Sequence, residues 1–338
     1  MSPLDYVLWA ALAIGMVFGA CGQATRFCLQ RGLAQVWAGQ AAPNLRAFAM
    51  ALAIALLGTQ ICDAYGLIHL QQSVYRGTSV SWLLLPLGGT LFGLGMGLCN
   101  GCGARALVLL AQGNLRSLFV LLCLGIAGLA TLTGTLAPLR LFLSEWSTVS
   151  LSASSPAHNT LRYTVTGVIV LALFAYALRG SQEDRMLARL LAAGLIGLMV
   201  VAGWLSTGYL GADDFDPQPL ASLSFVAPVG DTVQYTMIAT GMSLRFGIVI
   251  VIGVFIGAWL SAGIRREWRW EGFESSTQMR RYLVGGTLMG VGGALALGCS
   301  IGQGLTGLST LAYGSFIATA SIVLGSRLAH CFTPYRAN

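Results

Sequence analysis

Nine apolar runs dominate this chain, at roughly 5–21, 46–62, 82–99, 117–137, 160–179, 188–206, 246–263, 281–298 and 314–331. Each comes near the about 20 residues that a helix needs to cross a bilayer. In lipid the backbone has no water to bond to, so such runs must close their hydrogen bonds internally, as helices do. Composition agrees: 56% of the residues are hydrophobic and 9% are charged, against roughly a quarter charged in a soluble domain. The expected fold class is an all-α integral membrane protein with about nine transmembrane helices.

The cationic side chains are nineteen Arg with no Lys, and their distribution sets an orientation. Fifteen fall in the segments 22–45, 100–116, 180–187, 264–280 and the C-terminus or at the span ends beside them. The opposite set holds only Arg76, Arg140, Arg162 and Arg245, together with Asp213, Asp214, Asp216 and Asp231. The Arg excess marks the cytoplasmic side, so the N-terminus is expected outside and the C-terminus inside a bacterial inner membrane. Arg scattered over segment ends does not form a nucleic-acid surface. The first span lacks the basic start of a secretory signal and is expected to stay in the mature protein.

The run Gly88-Gly89-Thr90-Leu91-Phe92-Gly93-Leu94-Gly95-Met96-Gly97-Leu98-Cys99-Asn100-Gly101-Cys102 returns as Gly285-Gly286-Thr287-Leu288-Met289-Gly290-Val291-Gly292-Gly293-Ala294-Leu295-Ala296-Leu297-Gly298-Cys299, with nine of fifteen positions identical. Each copy ends in Gly-Cys and continues through small and polar residues, the pattern of a membrane helix that breaks part-way. A fainter match relates Gly22–Cys28 to Gly241–Gly247 through shared Gly, Arg and Phe. On the Arg-derived topology the two copies enter from opposite sides, which makes an inverted, pseudo-two-fold repeat with re-entrant half-helices and a site near the midplane. Repeat 1 is expected at about 1–140, a connecting span at about 160–179 and repeat 2 at about 186–331, in one transporter domain over 1–338. The Ser-rich stretch 144–159 reads as an outside loop.

Three of the eight cysteines, Cys28, Cys102 and Cys299, sit at these helix breaks; Cys21, Cys62, Cys99, Cys123 and Cys331 read as small packing residues. Cys99 and Cys102 form a C-x-x-C, but His69, His158 and His330 lie far away and no second pair exists, so neither a metal site nor a disulfide framework is expected. Half-helix N-termini after Cys102 and Cys299 attract anions. Arg26 and Arg105 flank the breaks, either as cytoplasmic anchors or as anion attractors. Arg245 lies on the Arg-poor side, where a structural or substrate role is expected. Gln303, Thr306 and Ser309 line the site or cap the half-helix. No Walker segment occurs, and no cofactor is expected.

Arg26-Phe27-Cys28, Gly101-Cys102 with Gln112-Gly113-Asn114 behind it, and Gly298-Cys299-Ser300-Ile301-Gly302-Gln303-Gly304-Leu305-Thr306-Gly307 resemble the signature segments of the YeeE/YedE membrane family, whose members include thiosulfate transporters. The resemblance implies nine membrane helices in an inverted repeat, with three functional cysteines in a row across the membrane; here these would be Cys28, Cys102 and Cys299. A buried thiol away from cations stays protonated, so it donates a weak hydrogen bond to an anionic sulfur and lets the ion move on. The leading expectation is uptake of thiosulfate or a similar small sulfur-containing anion into the cytoplasm, by a non-enzyme whose partners are that anion, membrane lipid and a cytoplasmic sulfur-carrier protein. The alternatives are a membrane sulfur-relay protein or enzyme carrying a cysteine persulfide, and a structural subunit of a larger complex.

Overall fold

The computed structural model describes residues 3–77, 79–150, 159–179, 186–212 and 219–332. Its helices are α1 (Pro3–Thr25), α2 (Leu29–Trp37), α3 (Pro43–Ala64), α4 (Leu84–Leu98), α5 (Gly103–Ala111), α6 (Leu115–Leu132), α7 (Ala137–Ser147), α8 (Asn159–Leu178), α9 (Met186–Leu205), α10 (Val226–Met237), α11 (Phe246–Arg265), α12 (Ser276–Leu295) and α13 (Tyr313–Phe332). Two π-helical turns, Ser206–Leu210 and Gly302–Gly307, three 3-10 turns, Leu70–Gln72, Val74–Arg76 and Ala239–Gly241, and a two-stranded ladder of β1 (Ser79–Ser81) and β2 (Thr148–Ser150) complete the described residues. The protein is an all-α, multi-pass membrane protein.

Among the described residues, eight helical stretches are long and apolar enough to cross a bilayer. The run expected at 281–298 forms α12, which falls outside that count although it packs along α4 and α6. Its hydropathy is lowered by Arg280, Arg281 and five glycines, and the glycines are there for close approach. A Cβ on Gly88 would stand 2.7 Å from the carbonyl oxygen of Gly292, one on Gly292 2.6 Å from that of Gly88, and one on Gly285 3.0 Å from that of Gly95. Residue 88 thus faces 292 while 95 faces 285. The helices run antiparallel, and exchanging the two repeat copies maps one contact onto the other.

The same exchange holds for the neighbours. Gly89 and Gly93 of α4 lie against Ala318 and Ile322 of α13, as Gly286 and Gly290 of α12 lie against Val120 and Leu124 of α6. Setting α1 to α4 and α6 against α9 to α13, with the turn Gly302–Gly307 in the place of α5, accounts for the pairs α1·α11 and α3·α9, and for α2·α13 and α6·α10. This pairing corrects the fainter sequence match. The segment 241–247 joins α10 to α11 and corresponds to the α2–α3 junction, so the counterpart of the Cys28 break is the α9–α10 connection near Phe225.

Helix α6 stops at Leu132, short of the expected 137. Arg140 donates to the last carbonyls of that helix, Nε to Thr131 (3.2 Å) and Nη2 to Leu132 (3.3 Å), a cationic C-terminal cap. Pro138 then starts α7, so the segment 144–150, read as loop, is the end of a helix and a strand. Residues 151–158, and the acidic Asp213, Asp214 and Asp216 used for the orientation, lie outside the described residues.

Candidate functional site

The three cysteines of the helix breaks are held by one backbone device. In each, a residue adopts a left-handed conformation, Arg26 (φ 54°), Asn100 (φ 54°) and Leu297 (φ 56°). The next N–H reaches back five residues: Phe27 to Gly22 (3.2 Å), Gly101 to Met96 (3.0 Å) and Gly298 to Gly293 (2.8 Å). That is the Schellman ending, which satisfies the last carbonyls of a helix inside the protein. The residue after it is the cysteine, and its carbonyl opens the half-helix, accepting Gly32 N–H at Cys28 (3.2 Å), Ala106 N–H at Cys102 (2.9 Å) and Gln303 N–H at Cys299 (2.7 Å). The fourth half-helix, α10, opens on Phe225, whose carbonyl accepts Val229 N–H (3.3 Å).

All three cysteines are buried. Cys28, Cys102 and Arg105 line one small cavity of about 10 Å³ with Phe18, Phe27 and Ile301, room for one water. On the Arg-poor face a vestibule of about 710 Å³ opens, lined by Tyr75, Ser224, Asp231, Arg245 and Gly298 among others. Gly298 borders the vestibule and Ile301 the inner cavity, so Cys299 stands between the two spaces. Its Sγ accepts the Gly302 N–H at 3.2 Å. A Cβ on Gly302 would lie 3.0 Å from Ser224 Oγ and 3.3 Å from the Tyr75 hydroxyl, which puts both hydroxyls at the vestibule floor. Burial, and secondarily the Cys299 sulfur, pushes the Tyr75 phenol above its usual range, so it remains an O–H donor.

The remaining site candidates separate into distinct roles. Arg105 has a buried Nη1 with no hydrogen-bond partner, and the groups acting on its charge are Arg31, Arg26 and the thiols of Cys28 and Cys102. Arg26 is exposed beside its break. Arg245 is the exposed N-cap of α11 in the vestibule wall, within electrostatic range of Asp231. Gln303 borders neither space; its Nε2 donates to Ala296 O (2.6 Å) and ties the half-helix to the end of α12. Thr306 and Ser309 are struts too, donating to Leu223 O and Thr306 O at 2.7 Å each. Cys99 donates to Tyr282 O (3.5 Å), in keeping with packing. Phe225, Tyr75 and Ser224 were not singled out from sequence, because none carries a motif.

The far ends of α5 and of the turn Gly302–Gly307 are tied down by equivalent loops. Arg269 N–H donates to Gln112 O (3.0 Å), and Asn114 Nδ2 donates to Glu271 (2.6 Å) behind α5. Behind the turn Gly302–Gly307, Arg76 donates through Nε and Nη2 to Thr310 O (3.0 and 2.8 Å). Arg76 lies 3.9 Å from Asp63, which pairs with Arg162 at 2.6 Å.

A multi-pass bundle that breaks four helices, between a vestibule and a small cavity beside Arg105, is the architecture of a membrane transporter. The chain belongs to the sulphur-transport family, whose profile matches residues 24–328. It is 24% identical to a protein of Escherichia coli (strain K12) named thiosulfate transporter TsuA, over 94% of this chain and 92% of the relative. A protein of the same name from Spirochaeta thermophila is 21% identical, over 95% and 97%.

Proposed function

We propose that this protein takes up thiosulfate, or a closely similar sulfur-containing dianion, across the bacterial inner membrane, and that the anion crosses intact along Cys299, Cys102 and Cys28. The observation carrying this reading is the repeated break: three buried thiols, each where a half-helix opens with its positive end, lie between an open vestibule and Arg105, whose buried Nη1 has no hydrogen-bond partner. Thiols are weak donors, and a row of weak sites lets an ion leave as readily as it binds. The names of the two relatives support the choice of anion.

The orientation follows from the Arg count: N-terminus outside, C-terminus inside, vestibule toward the periplasm, and Arg26, Arg31 and Arg105 at the cytoplasmic end of the path. Residues 1–140 and 186–331 form the two halves of one transporter domain, joined through the span at 160–179. Arg245 draws the anion into the vestibule. No step of this path needs covalent chemistry, so the chain is not an enzyme. A cytoplasmic sulfur-carrier protein is the proposed receiver, and lipid the surrounding partner. Proteoliposomes containing only this protein test the reading. Thiosulfate labelled at both sulfurs should accumulate inside with both labels together and leave no mass on the protein. A reductant-sensitive gain of one sulfur on any of the three cysteines would instead favour a persulfide relay.

A further inference from the structure

The vestibule and the inner cavity are divided by side chains that a row of thiols does not account for. Phe225 is fully buried and borders neither space. Its neighbours Ser224 and Val226 line the vestibule, while its ring packs tilted, at a centroid distance of 5.3 Å, on Phe18, which lines the inner cavity. Ile301, also buried, lines that same cavity. The Cys299 sulfur lies against the backbone of Gly302, Ile301 and Phe225. Around this thiol the partition is therefore Phe18, Phe225 and Ile301, whose side chains carry no polar atom.

The fold does not require this apolar bulk. Cys102 and Cys299 are equivalent, so Ala104 corresponds to Ile301, and both line the inner cavity. Phe225 opens the fourth half-helix at the place that Cys28 holds in the first repeat. The repeat beside the vestibule thus carries large hydrocarbon side chains where the other carries a methyl group and a thiol.

We propose that Phe18, Phe225 and Ile301 determine specificity: they admit a dianion that presents a sulfur corner and turn back oxyanions whose corners are all oxygen, such as sulfate. The inference rests on the transport reading above and assigns that path its selectivity. Thiosulfate and sulfate share charge and tetrahedral shape and differ in one corner atom. Arg105, Arg245 and the half-helix ends respond to charge, so they attract both. At the partition an oxygen corner must give up its water with no side-chain donor in return, which is costly. A sulfur corner is larger, polarizable and weakly hydrated, and it gains contacts with aromatic rings. Apolar constrictions gate channels in this way, by excluding water.

Val and Thr have nearly the same shape, so Ile301→Val and Ile301→Thr differ in little but a hydroxyl in the partition. Uptake of radiolabelled thiosulfate and, separately, of radiolabelled sulfate into proteoliposomes tests the inference. The wild type should carry thiosulfate and exclude sulfate. The ratio of sulfate to thiosulfate uptake should be at least about tenfold higher in Ile301→Thr than in Ile301→Val, the factor that one hydrogen bond offered to a charged oxygen supplies. Equal ratios in the two variants, or sulfate carried by the wild type as readily as thiosulfate, would overturn the partition as selector and leave the choice to the thiols. If either variant fails to fold, the wild type decides: monothiophosphate, which sets a sulfur corner on a phosphate, should be carried while phosphate is not. Uptake of both, or of neither, overturns the inference. Failure of the wild type to take up thiosulfate falls on the transport reading and the selectivity with it, whereas uptake with equal ratios removes the selectivity alone.

Discussion

Helix α5 and the turn Gly302–Gly307 are the same device built twice and then given different contents. Position by position they share a left-handed residue, a Schellman bond and a cysteine whose carbonyl accepts the first hydrogen bond of the half-helix, at Asn100-Gly101-Cys102 and Leu297-Gly298-Cys299. After the cysteine they diverge. Three residues on, Arg105 corresponds to Gly302, so one half-helix offers a fixed cation to the inner cavity and the other offers a bare N–H to its own cysteine sulfur. On the proposed reading, the shared part makes a path that treats both directions alike. The unshared part makes its two ends unequal, neutral hydroxyls toward the vestibule and guanidinium toward the Arg-rich face.

The most severe way to break the comparison is to remove the shared element. Cys102→Ala and Cys299→Ala should each abolish growth on thiosulfate as sole sulfur source, while Cys123→Ala, outside any break, should grow normally. Normal growth of the first two, with the protein present in the membrane at wild-type amount, would sink the thiol pathway.

Next come the two ties behind the half-helices. Arg76→Ala strips Thr310 O of both its donors and leaves the buried Asp63–Arg162 pair without its third member. Breaking a buried charge network costs about 3–5 kcal/mol. Glu271→Ala removes one part-buried bond from Asn114 while the backbone bonds behind α5 persist, a loss of about 1 kcal/mol. Thermal melting of the purified variants should therefore drop much further for Arg76→Ala; equal drops would show that the two ends are held alike.

Arg105 tests the inequality of contents. A hydrogen bond to a charged group contributes about 1.5–3 kcal/mol, so Arg105→Gln should weaken the apparent affinity for thiosulfate about 10- to 100-fold. Arg245→Gln removes an exposed cation in a wet vestibule, where pairs are worth about 1 kcal/mol or less, and should stay within about fivefold. Concentration dependence of initial uptake rates checks both, and a larger effect at Arg245 would place the tight site outside.

How much of this could be read beforehand depends on what each residue announces. The membrane helices were legible because lipid forces apolar runs of a set length, and the Gly-Cys repeat gave α4, α12 and two breaks directly. The fourth break was not legible. Its position is held by Phe225 rather than Cys, and it is separated from α9 by a π turn and a long connection, so Gly, Arg and Phe at 241–247 matched Gly22–Cys28 by coincidence. Gln303 carried a polar side chain in a signature segment, yet its amide is used up as a strut. Tyr75 and Arg76 lie in a loop without periodicity, and only the tertiary fold brings them under Gly302 and Thr310.

The smallest effect lies in the break itself. Asn100 and Leu297 occupy equivalent left-handed positions, but Asn tolerates that conformation through its short polar side chain whereas Leu carries a Cβ clash of roughly 1–2 kcal/mol. Leu297 is half-exposed at the vestibule, so removing its side chain leaves no core cavity to offset the relief. Leu297→Gly should therefore raise the stability of the protein by about 1 kcal/mol less the small loss of packing, while Asn100→Gly should change it by only a few tenths. Melting curves of the two variants side by side decide the matter. If Leu297→Gly melts lower than wild type, the side chain is contributing contacts to the vestibule wall that outweigh its backbone strain, and the two breaks are less alike than their shared geometry implies.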